Sequence, residues 1–213
     1  MVVSELQAGL RGAQAAAIEA HLGRLAPFDS DVFAALNTAF LGHGAAIVLQ
    51  AEAALAEPVH ILHLATRREQ AHAIYPRTLI VAGARSRLTL VEDFIGLEDA
   101  AYFSAPVTEI AVGREAAVAH VRLQRESAGG FQLGTCAVSQ AAGSSYKAAG
   151  MALGARLSRL DWKVLHAGPG CETALDGLAL IDARQLADTH STVDHAHPDG
   201  RLRQSHKCVV SGG

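Results

Sequence analysis

The sequence predicts a mainly β protein whose strands stack as the rungs of a parallel β-helix, after an N-terminal helical region. Beyond about Ala45, short apolar runs rich in Val, Ile and Leu alternate with turns, as strands do. Gly83, Gly113 and Gly143 follow at equal intervals, and the first two precede similar alternating strands. Almost no two-residue hairpin turns and no amphipathic helices separate the runs, which disfavours an antiparallel meander and a βαβ sheet. An ordinary β-sandwich is the alternative that this pattern leaves open.

Residues 1–44 form the predicted N-terminal helical region. The stretch "SELQAGLRGAQAAAIEAHLGRL" has apolar residues at helical spacing in an alanine-rich background, with Ser4 in position to cap the helix. The stretch "DSDVFAALNTAF" repeats the pattern after Pro27. We therefore expect two short helices before the first strand.

Residues 45–213 form the predicted parallel β-helix core. In chain order, the predicted strands are "AAIVLQ", "PVHILHLA", "RTLIVAG", "RLTLVE", "VTEIAVG", "AVAHVRLQ", "LGTCAVSQ", "DWKVLHAG", "ALDGLALID", "HSTVDH" and "HKCVVSG". Each rung of such a fold contributes inward side chains to one long stacked core. Small and branched apolar residues suit that core, and aromatic residues make up only 5% of the chain.

Composition and charge exclude several classes of function. Lys and Arg number 18 against 21 Asp and Glu, a net charge of −3, and no basic cluster suits a nucleic acid. The longest purely apolar run, Ala45 to Leu49, is far shorter than the roughly 20 residues that span a bilayer. The N-terminus lacks the pattern of a secretory signal. We therefore expect a cytoplasmic protein that binds neither nucleic acid nor membrane.

The three cysteines, Cys136, Cys171 and Cys208, are odd in number and widely spaced. Such spacing fits neither a disulfide framework nor a zinc knuckle. A permanently bound iron–sulfur cluster usually takes four cysteines, often with close pairs. We expect all three to be small buried hydrophobic residues in a reducing compartment, and the chain to hold no stable cluster or stoichiometric zinc.

The most conspicuous local motif is the histidine-rich stretch "DTHSTVDHAHPDG", residues 188–200. In a strand from Ser191 to His197, the side chains of His195 and His197 would share one face and could grip one metal ion. A useful zinc or iron site needs at least three ligands. His190 falls on the opposite face of such a strand.

The third ligand would then come from Cys208, from His206 or from a neighbouring rung. The alternative interpretation is that His190 and Asp194 make turn and inter-rung hydrogen bonds while His197 is solvated beside Pro198. Because the geometry supports a metal site only in part, we assign no catalytic, cofactor-binding or metal residue.

Phosphate-binding and nucleophilic motifs are weaker still. The sequence has no G-x-x-x-x-G-K-[ST] loop, so any ATP hydrolysis would belong to a partner. The stretch "GPGCETALDG", residues 168–177, lacks a balancing Lys or Arg and is interpreted as a rung corner. Ser139, Ser144 and Ser145 have no triad context.

Six stretches of the chain occur in an order typical of one family. They are "ALNTAFLGHGAAIVL" (35–49), "LTLVEDFIG" (88–96), "YFSAPVTEIAVG" (102–113), "HVRLQRES" (120–127), "LGARLSRLDWKV" (153–164) and "LDGLALIDARQLADTHSTVDHAHPDG" (175–200). Together they resemble the SufD branch of the SufB/SufD family, the scaffold subunits of the SUF iron–sulfur cluster assembly machinery. The resemblance runs from about residue 32 to the C-terminus.

The resemblance implies a right-handed parallel β-helix and a non-enzymatic partner of a SufB-like subunit and an ABC-type ATPase, SufC. Family members continue into further β-helix with a Cys-x-His segment and a helical segment that docks the ATPase, so the chain is a fragment or a shortened paralogue. An uncovered last rung ending in "CVV" (208–210) would expose core side chains. We therefore expect self-association through the C-terminal rung and no capture of the ATPase by the isolated chain.

Two enzyme classes compete with the scaffold hypothesis. A cupin-like metal-dependent enzyme could use the His195/His197 pair, but it would need a Glu a few residues later, and residues 198–203 contain none. A carbohydrate-active β-helix enzyme would show exposed aromatic residues and carboxylate clusters along a groove. The single Trp argues against it.

Overall fold

The computed structural model describes residues 1–29, 31–182 and 184–212, which contain fifteen strands and three short helices. The helices are α1 (Leu6–Leu10), α2 (Ala15–Glu19) and α3 (Val32–Ala39). The strands are β1 (Val2–Glu5), β2 (Gly44–Leu49), β3 (Val59–Ala65), β4 (Ala73–Ile74), β5 (Arg77–Ala82), β6 (Arg87–Gly96), β7 (Phe103–Ser104), β8 (Val107–Val112), β9 (Ala117–Arg125), β10 (Phe131–Gln140), β11 (Ser145–Ala152), β12 (Leu157–His166), β13 (Glu172–Ile181), β14 (Leu186–His195) and β15 (Arg201–Val210).

The strands form two parallel sheets that face each other. Sheet 1 contains β2, β5, β8, β10, β12 and β14 in that order, together with the edge strand β1 and the short strands β4 and β7, and sheet 2 contains β3, β6, β9, β11, β13 and β15. The chain alternates between the sheets, and each strand pairs in parallel with its counterpart one turn later. The described residues thus make a β-solenoid of about six turns. This confirms the predicted mainly β, parallel β-helix class and shows the β-sandwich alternative to be wrong. The right-handed sense of coiling stays a prediction.

The corner that leads from sheet 1 to sheet 2 repeats as one tight turn. Gly83 and Gly113 open successive corners, where their carbonyls accept hydrogen bonds from Ser86 N at 3.1 Å and Ala116 N at 3.0 Å. A Cβ at Gly113 would lie 2.6 Å from the carbonyl oxygen of Ala82 in the rung below. Stacking of these two corners therefore requires a residue without a side chain.

The third residue of each such corner has a left-handed backbone. These residues are Glu52, Arg85, Glu115, Gly143, Gly170 and Asp199, with φ between 57° and 70°. Gly143 thus lies at a corner, as predicted, but two positions later in the turn than Gly83 and Gly113. The equal glycine spacing is accordingly not the structural repeat, which is set by the left-handed residues.

The space between the sheets is filled by inward-facing side chains stacked from rung to rung. Ile47, Ile80, Ile110, Val138 and Val164 form one such column in sheet 1. Leu90, Tyr146 and Trp162 belong to the same buried cluster. Each fully buried branched aliphatic side chain contributes about 1.5 to 3 kcal/mol.

The N-terminal region differs from the prediction in two respects. Ser4 does not cap a helix, because it belongs to β1, which pairs antiparallel with β2 through Ala46. The cap is Glu5, whose carboxylate accepts hydrogen bonds from Gln7 N and Ala8 N. The single helix expected there is two helices, α1 and α2, with residues 11–14 in a turn between them. Only α3, capped by the carboxylate of Asp31, follows the prediction for its stretch.

The helices pack on the outer face of sheet 1. Leu6 and Ile18 are fully buried there against Val48 and Leu79. Beside them, the buried carboxylate of Glu109 on β8 accepts hydrogen bonds from Leu25 N and other backbone donors of the segment that follows α2. The described residues between α2 and α3 form no helix or strand, so this carboxylate satisfies backbone donors that would otherwise be buried unpaired.

Arg77 on β5 completes the attachment of the helical region. Its guanidinium group donates from Nε and Nη2 to Glu109 Oε2 at 3.0 and 2.7 Å, and from Nη1 to Asn37 Oδ1 at 3.2 Å. The amide nitrogen of Asn37 donates to the carbonyls of Pro76 and Ala105, next to the breaks that separate β4 from β5 and β7 from β8. The division of the chain at residue 44 stays a prediction.

Two further features concern the C-terminal half. Strand β11 was not predicted, because "SYKAAGMA" has few branched apolar residues, yet it pairs with both β9 and β13. Every residue of β15 is exposed, including Val209 and Val210.

Among the residues that the structure describes, no helix is both long and apolar enough to cross a membrane.

Candidate functional site

The histidine-rich stretch does not form the pair that the sequence suggested. Strand β14 ends at His195, and His197 lies in the following turn with Pro198 and Asp199. The expectation of a strand from Ser191 to His197 is therefore wrong, since the left-handed turn at Asp199 forms the next corner. The cupin-like alternative is wrong as well, because a cupin is an antiparallel barrel, whereas the stacked rungs of this chain pair in parallel.

The other residues of that stretch are spread over the surface. His190 Nε2 lies 3.0 Å from Asp188 Oδ1 in the same strand, and Asp194 is exposed. The candidate third ligands His206 and Cys208 lie exposed on β15, in sheet 2. Within residues 1–29, 31–182 and 184–212, no group of three or more His, Cys, Asp or Glu side chains is placed to hold a metal ion.

A neighbouring rung does bring a second imidazole to His195. His166 ends β12 and is the register partner of His195 in sheet 1. The two rings stand edge to face, with centroids 4.4 Å apart. His166 is fully buried, whereas His195 is exposed. No sequence motif indicates His166, because the two histidines are far apart in the chain and only the stacking of rungs brings them together.

The cysteines follow the prediction in two positions of three. Cys136 is buried beside Tyr146, and burial raises the pKa of its thiol to about 12. The buried Cys171 donates from Sγ to carbonyl oxygens, including that of Gly168 at 3.1 Å. Cys208 is exposed, so its expected burial is wrong. Its strand, β15, has a neighbouring strand on one side only.

The stretch 168–177 forms a rung corner followed by β13, as predicted. Gly170 supplies the left-handed residue of that corner, with φ of 70°. Ser144 is buried at the preceding corner, where its carbonyl accepts a hydrogen bond from Gln140 Nε2 at 3.2 Å. Ser139 and Ser145 lie half-buried on β10 and β11.

The most highly charged part of the interior surrounds Glu92 on β6. Its fully buried carboxylate accepts a hydrogen bond from Thr108 Oγ1 at 2.8 Å and lies 3.1 Å from His120 Nε2. Arg122 Nη1 donates to the same carboxylate oxygen at 3.2 Å. His63 Nε2 approaches the other oxygen at 3.5 Å. Burial favours the neutral acid, but His120, His63 and Arg122 together hold the pKa of Glu92 well below its usual range.

The partners of Glu92 are themselves fixed by packing. His120 Nδ1 lies 2.9 Å from the hydroxyl of Tyr146, and the guanidinium of Arg122 lies 4.1 Å from the ring centroid of Phe94. These contacts join side chains of β6, β8, β9 and β11 across both sheets. The network thus orients an ionised carboxylate inside the solenoid.

A second buried carboxylate, Glu126, follows β9 and behaves in the opposite way. Burial raises its pKa to about 7, although Gln124 and Arg122 oppose the shift. Its carboxylate accepts a long hydrogen bond from Gln124 Nε2, at 3.5 Å, and the side chains of Ser104 and Gln132 also interact with it. It lines a cavity of about 470 Å³ that Phe40, Tyr75 and other residues enclose. This carboxyl group can therefore exchange a proton near neutral pH.

Comparison with known proteins identifies the family to which the chain is similar. A family model described as SUF system FeS cluster assembly, SufBD core domain, matches residues 63–213. The iron-sulfur cluster assembly SufBD family protein slr0076 of Synechocystis sp. is 32% identical over 189 residues, which cover 85% of this chain and 42% of that protein. Protein ABCI7, chloroplastic, of Arabidopsis thaliana is 32% identical over 137 residues, 64% of this chain and 29% of that protein.

This chain thus spans less than half the length of either relative. The matched segment begins within β3 and includes the Glu92 network, Glu126 and the His166–His195 contact. The parallel solenoid agrees with the fold that the resemblance implied. Because the family model covers more than half of the sequence, the chain belongs to the SufB/SufD family of the SUF iron–sulfur cluster assembly system.

Proposed function

We propose that the chain acts as a non-enzymatic scaffold in iron–sulfur cluster assembly, as a SufD-like partner of a SufB-like subunit and a SufC-like ABC-type ATPase. The observation that carries this proposal is the SufBD core match over residues 63–213, which falls on the solenoid itself. The predicted cytoplasmic location belongs to the same proposal; the name of one relative places that relative in the chloroplast.

The interior supports a scaffold role. Glu92, a fully buried carboxylate of the core, is engaged by its own neighbours His120, Arg122 and Thr108. A carboxylate held this way stabilises one arrangement of rungs. A rigid solenoid presents long, regular edges to which other subunits can be attached.

We also propose that the cluster is cargo of the complex and that this chain does not hold it stably. The thiols of Cys136 and Cys171 are buried and lie against Tyr146 and against backbone carbonyls. Burial also raises the pKa of Cys136 to about 12, so its thiolate is scarce at neutral pH. Anaerobic reconstitution with iron and sulfide should leave the isolated chain without a stable cluster chromophore.

Partner capture tests the proposal. The tagged chain is co-expressed with the SufB-like and SufC-like proteins of the same genome, and the eluted complex is sized by light scattering. We expect the SufB-like subunit to be captured. The exposed apolar residues of β15, such as Val209 and Val210, favour self-association when the chain is alone.

Two substitutions on β15 test the self-association: Val210→Glu is the test variant, and Lys207→Glu is its matched control. Both residues are exposed, but only Val210→Glu places a charge on an apolar position. Loss of self-association in Val210→Glu with its retention in Lys207→Glu supports contact through β15. An eluted complex that contains neither the SufB-like subunit nor the ATPase contradicts the proposed partnership.

A further inference from the structure

The contact between His166 and His195 has the features of an incomplete metal-binding site. A Cβ added at Gly200 would lie 2.5 Å from Nδ1 of His166 and 2.5 Å from Nδ1 of His195. Both nitrogens therefore lie next to the backbone of Gly200, and they are at most twice that distance apart. Gly200 has no side chain that would separate the two rings.

Hydrogen bonds behind His166 determine which of its ring nitrogens carries the proton. The amide nitrogen of Gln140 donates to the carbonyls of Ser144 at 3.2 Å and Glu172 at 3.1 Å. These two bonds fix the amide so that its oxygen, Oε1, faces Thr173 and accepts the hydroxyl proton at 2.5 Å. Because the Thr173 hydroxyl has only one hydrogen, its oxygen is left to accept a hydrogen bond.

His166 Nε2 lies 2.8 Å from that hydroxyl oxygen and must donate to it. In the neutral ring, Nδ1 then carries the lone pair. Nδ1 of His166 is buried and has no hydrogen-bond partner among the described residues.

A buried, unpartnered nitrogen lone pair is costly unless a ligand uses it. Imidazole nitrogens are preferred ligands of Zn²⁺, Cu²⁺ and Ni²⁺, at about 2.0 to 2.1 Å for zinc. A metal-binding histidine usually donates its other ring N–H to an outer acceptor, as His166 Nε2 does to the Thr173 hydroxyl. His195 is exposed and can turn toward an ion without disturbing the core.

We propose that His166 and His195 bind one divalent transition-metal ion of the zinc, copper or nickel class through their Nδ1 atoms. Gln140 and Thr173 act as positioning residues that hold the His166 lone pair toward the ion. Two protein ligands leave the remaining positions to water or to an external ligand. The ion is therefore exchangeable and is removed by chelators during purification, in agreement with the expectation of no stoichiometric zinc.

The direct test uses Cu²⁺ as the probe, because its electron paramagnetic resonance spectrum reports imidazole nitrogens bound to it. The chelator-treated chain receives one equivalent of Cu²⁺, and pulsed measurements count the nitrogens. We expect two imidazoles in the wild type and one at most in His195→Ala. The matched control is His197→Ala, which removes an exposed histidine two residues away and should leave both signals unchanged.

Two more variants test the positioning argument without removing a ligand. Thr173→Val keeps the shape of the side chain but removes the acceptor for Nε2, and should weaken Zn²⁺ binding about 10- to 100-fold by calorimetry. Gly200→Ala places a methyl group against both nitrogens and should also weaken binding. Circular dichroism and the urea midpoint confirm that each variant is folded.

Three results would overturn the proposal. The first is a wild-type chain that shows no imidazole coordination with added Cu²⁺. The second is binding that persists at full strength in folded His195→Ala, which would place the ion elsewhere among the histidines. The third is an equal loss of imidazole coordination in His197→Ala and in His195→Ala, which would support the His195/His197 pair suggested by the sequence.

Discussion

Glu92 and Glu126 lie in the same solenoid interior, and their pKa values move in opposite directions. Glu92 has two histidines and the guanidinium of Arg122 around it, and its pKa is far below the usual range. Glu126 is almost as buried, but its nearest donor is an uncharged amide, and its pKa rises to about 7. Burial alone therefore does not set the charge of an interior carboxyl group; the identity of the facing side chains does.

The comparison also separates two effects of pH on folding. Glu92 is protonated more readily in the unfolded chain, so its stabilising contribution is present above about pH 4.5 and is lost as the pH falls through the folded-state pKa. Glu126 is protonated more readily in the folded chain. Its presence therefore costs stability progressively as the pH rises from about 4.5 to about 7.

The largest expected effect is that of Glu92→Gln. The change removes the charge that balances the buried guanidinium of Arg122, and breaking a buried pair costs about 3 to 5 kcal/mol. Urea unfolding at pH 7 measures the free energy of unfolding. The difference from the wild type should shrink in acid, where Glu92 itself becomes neutral; a difference that does not change with pH would contradict the assignment of charge.

Glu126→Gln should act in the opposite direction. At pH 8 the wild type must ionise a buried carboxyl group, whereas the amide is neutral at every pH. A rise of pKa from 4.5 to about 7 corresponds to roughly 3 kcal/mol, so the variant should gain up to that much at pH 8 and little at pH 4.5. Equal stability of the variant and the wild type at pH 8 and at pH 4.5 would show that the pKa of Glu126 is not raised.

A smaller effect is expected from His63→Phe. The phenyl ring can keep the stacking on Phe94, where the ring centroids are now 4.4 Å apart, but it loses the contact with the Glu92 carboxylate. We expect a loss of about 1 kcal/mol at pH 7 and a higher acid midpoint of unfolding. A loss as large as that of Glu92→Gln would mean that His63, and not Arg122, is the main partner.

The smallest effect is expected at the surface. Arg85→Met removes an ion pair with Glu52 in which both side chains are largely exposed. Solvent screens such pairs, so the urea midpoint should not change measurably at moderate salt. A loss comparable to that in the interior variants would show that the corner turns depend on charge.

Much of the fold could be predicted because the residues that determine the strands and corners of a rung lie close together in the sequence. Alternation places Leu88, Leu90 and Glu92 on one face of β6, and the glycines mark the corners. Strand β11 was not predicted because Ala148 and Gly150 follow Tyr146 at its inner positions, where Gly150 lies opposite the large ring of Trp162. The break between α1 and α2 could not be predicted, because the alanine-rich sequence favours helix throughout. Packing against sheet 1 determines where each helix ends.

The site could be predicted only in part, because its contacts join rungs that are distant in sequence. His120 and Arg122 reach Glu92 from 28 and 30 residues away. His166 reaches His195 in the same way. A motif search finds residues that are close along the chain, and it therefore favoured His195 with His197. The length of a rung, once known, would have indicated the correct partner.

The two corners of each rung differ in how freely their length varies. The corner opened by Gly83 and Gly113 stacks backbone on backbone, whereas the return corner shortens along the chain, from 66–72 through 97–102 to 153–156, while the strands keep their register. The return corner is therefore the natural place for insertions during evolution. A peptide tag or a fluorescent label would be accommodated within residues 66–72, on the same edge as the 470 Å³ cavity, with the solenoid left intact.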